Sequence, residues 1–223
     1  MSDFNDNHNT PAENEDISIP KKTARESISV SKRQKINKRL TTIIDYVELF
    51  VISVTVVIVL FTGVFRTCTV DGDSMNNTLT DGEILVVSEF LYTPERGDII
   101  VFHQTGDSAI DKNLPLVKRV IGVGGDTVKI DFSTWTVTVT DKDGNSTTLV
   151  EDYIYVDKKY PHVLHGTREF VVPEGSLFVL GDNRNHSLDS TDQAIIGFVD
   201  ERRVIGKVVL RVSPLSKFGG VYQ

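Results

Sequence analysis

The apolar positions of the chain fall into three regimes. Residues 1–20, MSDFNDNHNTPAENEDISIP, are rich in acid and carry almost no apolar pattern, a composition that predicts disorder. Residues 21–40 reverse the sign, with eight basic side chains against Glu26 alone. Then LFVISVTVVIVLFTGVF, residues 49–65, runs without a charge between Glu48 and Arg66. At about 1.5 Å per residue this run covers roughly 26 Å as a helix, and adding Ile43 and Ile44 reaches the roughly 30 Å of a bilayer core. A buried core helix is the alternative; the length of the run and the basic block before it favour a membrane span. A cleaved leader fits less well. The basic tail is too long, the apolar run exceeds a usual leader core, and only RTCTV (66–70) approximates a cleavage signal. The basic block predicts a cytoplasmic N-terminus, with residues 66–223 outside.

Beyond residue 66 the period changes. EILVVSEF (83–90), DIIVF (98–102), LVKRVIGV (116–123), WTVTVT (135–140), SLFVL (176–180) and RVIGKVVLRV (203–212) are short and rich in Val and Ile, the pattern of strands. DKDGN (141–145) supplies a turn, so WTVTVT and TTLV should form a hairpin. No long helical period and no internal repeat follow. The predicted organisation is a disordered tail over 1–40, acidic then basic, a transmembrane anchor over 41–65, and an extracytoplasmic β domain over 66–223.

Charge sharpens this division. The 223 residues sum to −7, while residues 1–65 hold eight acidic and eight basic side chains, so the whole excess belongs to 66–223. A domain this acidic is not a general nucleic-acid binder. Cys68 is the single cysteine, which excludes an internal disulfide.

The stretch GDSMNNTL (72–79) raises a chemical question. A serine hydroxyl is a poor nucleophile unless a base takes its proton. His103, His162, His165 and His186 are the histidines beyond the anchor, and nothing in the sequence pairs any of them with Ser74. Lysine is the other solution, provided that burial lowers its amine from the usual value of about 10.4 by several units. Lys118 lies in LPLVKRVIGVGGD (114–126), where a strand would place it on one face with Leu116 and Val120, while Val117, Arg119 and Ile121 face the other way. By spacing alone, a lysine with its stem on apolar surface and its head in water is the commoner outcome.

GDSMNNTL, RGDIIVF, KRVIGVGGD and GDNRNHSLDS occur in this order after an apolar anchor. Each is weak alone; together, over roughly residues 45–210, they resemble the bacterial type I (leader) signal peptidases, which are serine/lysine proteases. The resemblance implies a mostly β fold, with strands coiled around a hydrophobic core behind one transmembrane helix. It implies Ser74 as nucleophile and Lys118 as general base, with the Ser74 N–H helping to form an oxyanion hole. Where some relatives add a serine donor, this chain has Gly72. Met75, Leu79 and Val117 match positions near the pocket for the residue before the cut. Ser187 matches a hydroxyl that hydrogen-bonds the lysine, and Asp182 and Asp189 match carboxylates that hold the site together. His186 becomes a variable position.

Two positions depart from the family pattern: Asn77 stands where Pro is usual, and Thr191 where Arg is usual. The second removes a partner for Asp189, which leaves Arg119 as the expected sole compensating charge. NNT (76–78), NST (145–147) and NHS (185–187) are glycosylation sequons, and two fall inside the implied site, so the reading requires a cell that leaves them bare, as a bacterium does. The implied substrate is the signal peptide of a secreted preprotein, bound extended, with small residues at one and three positions before the cut. The bilayer is the other partner, and no metal, cofactor or nucleic acid is implied. Two rivals share parts of this pattern: a self-cleaving repressor-type serine/lysine protease, and a non-enzymatic relative that assists surface or pilus assembly.

Overall fold

The computed structural model describes residues 21–104, 115–157 and 164–222. Residues 1–20, expected to be disordered, and His162 lie outside them. The described part of the first unit, from Lys21 to Ile58, is helical. Helix α1 runs over Lys21–Val64, and its stretch Ile28–Val64 is long and apolar enough to cross a membrane. The basic segment expected as part of a disordered tail is helical here. Residues 21–40 contain no Gly or Pro and are dominated by Lys, Arg and other residues that tolerate helix, so nothing stops the helix before the apolar run begins.

The second unit, from Val59, is built almost wholly of strands. In chain order these are β1 (Phe65–Thr69), β2 (Ile84–Ser88), β3 (Ile99–His103), β4 (Pro115–Gly122), β5 (Thr127–Asp131), β6 (Thr136–Thr140), β7 (Ser146–Thr148), β8 (Thr167–Val171), β9 (Ser176–Leu180), β10 (Val199–Asp200) and β11 (Val204–Ser213). Among the described residues no α-helix follows Val64. Seven strands form one sheet in the order β1-β2-β11-β3-β4-β9-β10, and four form a second in the order β7-β6-β5-β8. The expected hairpin exists, with Thr140 opposite Ser146. All six expected runs became strands. The strands not expected, β1, β5, β8 and β10, are polar on their exposed face or only two residues long, so their apolar signal is weak.

The period of two divides β3 between two hydrophobic clusters. Ile99 and Val101 face one, with Leu85 and Val208; Ile100 and Phe102 face the other, with Val120 and Val179. A third cluster under the smaller sheet joins Val128, Ile130 and Trp135 to Ile121 and Phe178. The two aspartates of the RGD and GGD motifs have structural work. Asp126 takes Arg96 in a two-point pair at 2.7 and 2.5 Å, and Asp98 takes Lys207 at 2.5 Å and the Tyr92 hydroxyl at 2.7 Å. These pairs fasten the loop before β3 and the turn after β4, which lie at the same end of the antiparallel strand pair.

Candidate active site

Ser74 sits in the turn after β1. The turn folds back because the Leu79 N–H reaches the Met75 carbonyl at 2.8 Å, and because both side chains are fully buried in the cluster under it. Met75 and Leu79 therefore form the floor on which Ser74 rests rather than an open surface. Val117 is half-buried and packs against the same cluster. The Gly72 N–H is taken by Asp81 Oδ1 at 2.8 Å.

The structure brings Ser74 and Lys118 together. Lys118 Nζ lies 2.7 Å from Ser74 Oγ and donates to the Val117 carbonyl at 3.0 Å. The lysine is 3% exposed, and its neighbours on the same strand face, Leu116 and Val120, pack in the second β3 cluster. Burial lowers the amine from 10.5 to about 8, against the opposing pull of the Asp189 and Asp182 charges. None of the described histidines enters a hydrogen bond with Ser74. This is a hydroxyl in contact with an amine that is partly neutral at physiological pH, the arrangement needed to activate a nucleophile.

Asp182 locks the two sides of the pair. Its carboxylate accepts Arg119 Nε at 2.9 Å and Nη2 at 2.7 Å, and also receives the Thr78 hydroxyl. Arg119 belongs to β4 beside Lys118, and Thr78 to the Ser74 turn, so one carboxylate ties both elements. The main chain repeats the link: the Asn183 N–H donates to the Ser74 carbonyl at 3.0 Å, and Asn183 Nδ2 to the Asp73 carbonyl at 3.1 Å. From the far side, Arg211 donates to the Thr78 carbonyl at 3.1 Å and to Glu83 at 2.9 Å.

The expected Arg119–Asp189 pair is not formed and is corrected here. Asp189 is buried and accepts the Thr191 hydroxyl at 2.8 Å, the Thr191 N–H at 3.1 Å and the Gly181 N–H at 3.1 Å. Three short-range donors replace a cation, so the Thr at 191 is a partner and not a loss. Ser187 also departs from expectation. Its hydroxyl is buried without a hydrogen-bond partner among the described residues, and makes no bond to Lys118. It packs instead on Gly181, where a Cβ would collide with Ser187 Oγ and lie 2.5 Å from the Ser74 carbonyl oxygen. Only glycine fits between them. Gly181→Ala should therefore fold but displace Ser74, lowering kcat/KM by on the order of 10²-fold, the usual cost of a misplacement near 1 Å. Wild-type turnover by this variant would show that the turn can shift without moving Ser74.

Thr78, Arg184, Glu151 and Tyr153 are site-flanking residues that sequence reasoning did not identify. Thr78 and Arg184 stand within the quoted motifs and were legible there; Glu151 and Tyr153 stand in a segment without one.

The family described as "Signal peptidase, peptidase S26" matches residues 43–213. The chain is similar to signal peptidase IB of Staphylococcus aureus, at 36% identity over 67% of this chain and 78% of the relative. It is similar to signal peptidase I of Bacillus licheniformis, at 33% identity over 78% of this chain and 90% of the relative. A solved signal peptidase I from Enterococcus faecalis V583 is 32% identical, covering 52% of this chain and 97% of that one with a TM-score of 0.38. The match spans the apolar end of α1, the Ser74 turn, β4 and the Asp182 motif, and on that ground the chain belongs to the signal peptidase family of S26 serine endopeptidases.

Proposed function

We propose that this protein is a membrane-anchored endopeptidase that removes signal peptides from secreted preproteins, with Ser74 as nucleophile and Lys118 as general base. The observation that carries the reading is the 2.7 Å approach of Ser74 Oγ to a buried amine with a lowered pKa. The neutral amine takes the hydroxyl proton as Oγ attacks the carbonyl carbon before the cut. The oxyanion is received by backbone N–H groups, Ser74's own among them. The resulting ammonium returns the proton to the leaving amine, and the signal peptide stays on Ser74 as an ester. Lys118 then deprotonates a water, which hydrolyses the ester and restores the serine.

The sheet offers a place for an extended substrate. β9 joins β4 only from Arg119 onward, so the preceding residues of β4 pair with β3 on one side alone. A peptide added there has residues one and three before the cut on the same face, because side chains alternate along a strand. Both then point toward the floor of Met75, Leu79 and Val117, which favours small residues at these two positions. The basic end of α1 supports a cytoplasmic N-terminus and an outward-facing β unit.

The test is the pH dependence of preprotein cleavage by the full-length protein in detergent or nanodiscs, with the new N-terminus sequenced. Only the neutral amine is a base, so kcat/KM should climb by several tens of fold between about pH 6 and about pH 8 and then level off. An ordinary lysine would still be climbing above pH 9. A flat profile across this range, with cleavage rate-limiting, would exclude an amine base.

A further inference from the structure

Residues 151–155 close over the Arg119–Asp182 pair. The ring of Tyr153 stacks on the Arg119 guanidinium, whose carbon lies 3.8 Å from the ring centroid. The Tyr153 hydroxyl donates to Glu151 Oε1 at 2.8 Å, and Arg184 Nη2 donates to the same oxygen at 2.5 Å. Arg184 Nε then donates to the Gly181 carbonyl at 3.1 Å. The main chain is stitched in as well, from the Tyr155 N–H to the Asp182 carbonyl at 2.8 Å and from the Arg184 N–H to the Tyr155 carbonyl at 2.9 Å. Through one ring and one hydroxyl, Tyr153 thus reaches both arginines that flank the Ser74–Lys118 pair.

We propose that Tyr153 is a positioning residue for Ser74 and Lys118: its ring holds the Arg119 guanidinium on Asp182, which keeps that carboxylate neutralised beside the amine and engaged with Thr78. This rests on the serine/lysine reading above. The alternative place for the guanidinium is adjacent. A cavity of about 320 Å³ is lined by Arg119, Tyr153, Tyr222, Asn77 and the exposed Asp152. Without the ring, Arg119 can turn into this cavity toward solvent and Asp152, leaving the Asp182 charge uncompensated.

The sign of the consequence follows from the groups around the amine. The charges acting on Lys118 are those of Asp189 and Asp182, both of which favour the ammonium. Those acting on Arg119 are Asp182 and the phenols of Tyr153 and Tyr222. Burial, with Glu151 adding to it, raises the Tyr153 phenol above its usual range, so it remains a neutral donor throughout the working pH. An uncompensated Asp182 would raise the amine, and the protein would need a higher pH to hold the base neutral.

The experiment compares kcat/KM–pH profiles of wild type, Tyr153→Leu and Tyr153→Phe on one preprotein. Tyr153→Leu should lose about tenfold at pH 7 and recover to within about threefold of wild type at high pH, the signature of a midpoint raised by about one unit. Tyr153→Phe keeps the ring over Arg119 and should keep the wild-type midpoint. A loss of equal size at every pH, or no loss, overturns the proposal. If the leucine variant does not fold, Tyr153→Met is read the same way at reduced temperature. A wild-type profile that lacks the rise through about pH 8 would instead overturn the serine/lysine reading itself, so the two failures are distinguishable.

Discussion

Ser74→Ala and Lys118→Met should each reduce cleavage by on the order of 10⁴-fold or more, and only the second should change stability. The serine variant loses one hydroxyl, bonded to Lys118, from a half-buried turn whose links through Met75, Leu79, Thr78 and Asn183 do not run through that hydroxyl, so its denaturant midpoint should stay close to the wild-type value. The residual rate would come from binding and the oxyanion donors alone. The lysine variant removes a buried amine. The fall of its pKa from 10.5 to about 8 corresponds to a penalty of about 3 kcal/mol on the folded state when the amine is charged. That penalty is fully present below about pH 8 and disappears above about pH 10.5, where both folded and unfolded chains hold a neutral amine. Lys118→Met should therefore be stabilised at neutral pH, with a gain that shrinks as pH rises. Lys118→Arg should be as inactive as the methionine variant, because a guanidinium does not deprotonate in this range. A Lys118→Met variant that is inactive and also unfolded, or one that cleaves, would contradict this account.

Arg119→Ala should destabilise the β unit by about 3–5 kcal/mol, because it strands the Asp182 carboxylate in the interior. Both side chains are almost fully buried, at 6% and 1% exposed, and the contact is a two-point fork. The Thr78 hydroxyl alone cannot replace a cation. In a double-mutant cycle, adding Asp182→Ala should restore part of the loss, since no orphaned charge then remains. Adding Thr191→Arg should restore nothing, because Asp189 already has three donors of its own. Additive losses from Arg119→Ala and Asp182→Ala would show that the two side chains do not depend on each other.

The opposite outcome for Thr191→Arg was the natural expectation from sequence, and the reason is instructive. Asp182 and Asp189 stand seven residues apart in one motif, and both needed a partner. Their assignment depends on where β9 leaves β4. It does so after the Leu180–Arg119 pairing, which delivers Asp182 to Arg119 and turns Asp189 back on the local chain. Strand period alone does not contain this information. By contrast, the period did contain the strand neighbours of Lys118: alternation in β4 set it on one face with Leu116 and Val120, but spacing alone favoured a head in water, and its burial comes from the fold. Which serine it would meet came from the order of motifs, since the two residues are separated by three strands of the sheet order and 44 positions in sequence. Tyr153 was illegible for a further reason. An aromatic stacked on an arginine leaves no spacing in its own segment, only in the fold.

The direct passage from helix to strand has a consequence for how substrates are found. β1 begins at Phe65, immediately after the last residue of α1, and Ser74 follows only ten positions beyond Val64. At no more than about 3.3–3.6 Å per residue, such a tether reaches at most about 35 Å. With α1 in the bilayer, as proposed, the hydroxyl sweeps a thin layer above the lipid and nothing else. A preprotein whose leader is also embedded meets it by lateral diffusion in that layer, where a few molecules amount to a high local concentration. The same leash acts as a ruler. Only peptide bonds that come within that layer can be cut, so distance from the lipid limits where the hydroxyl acts.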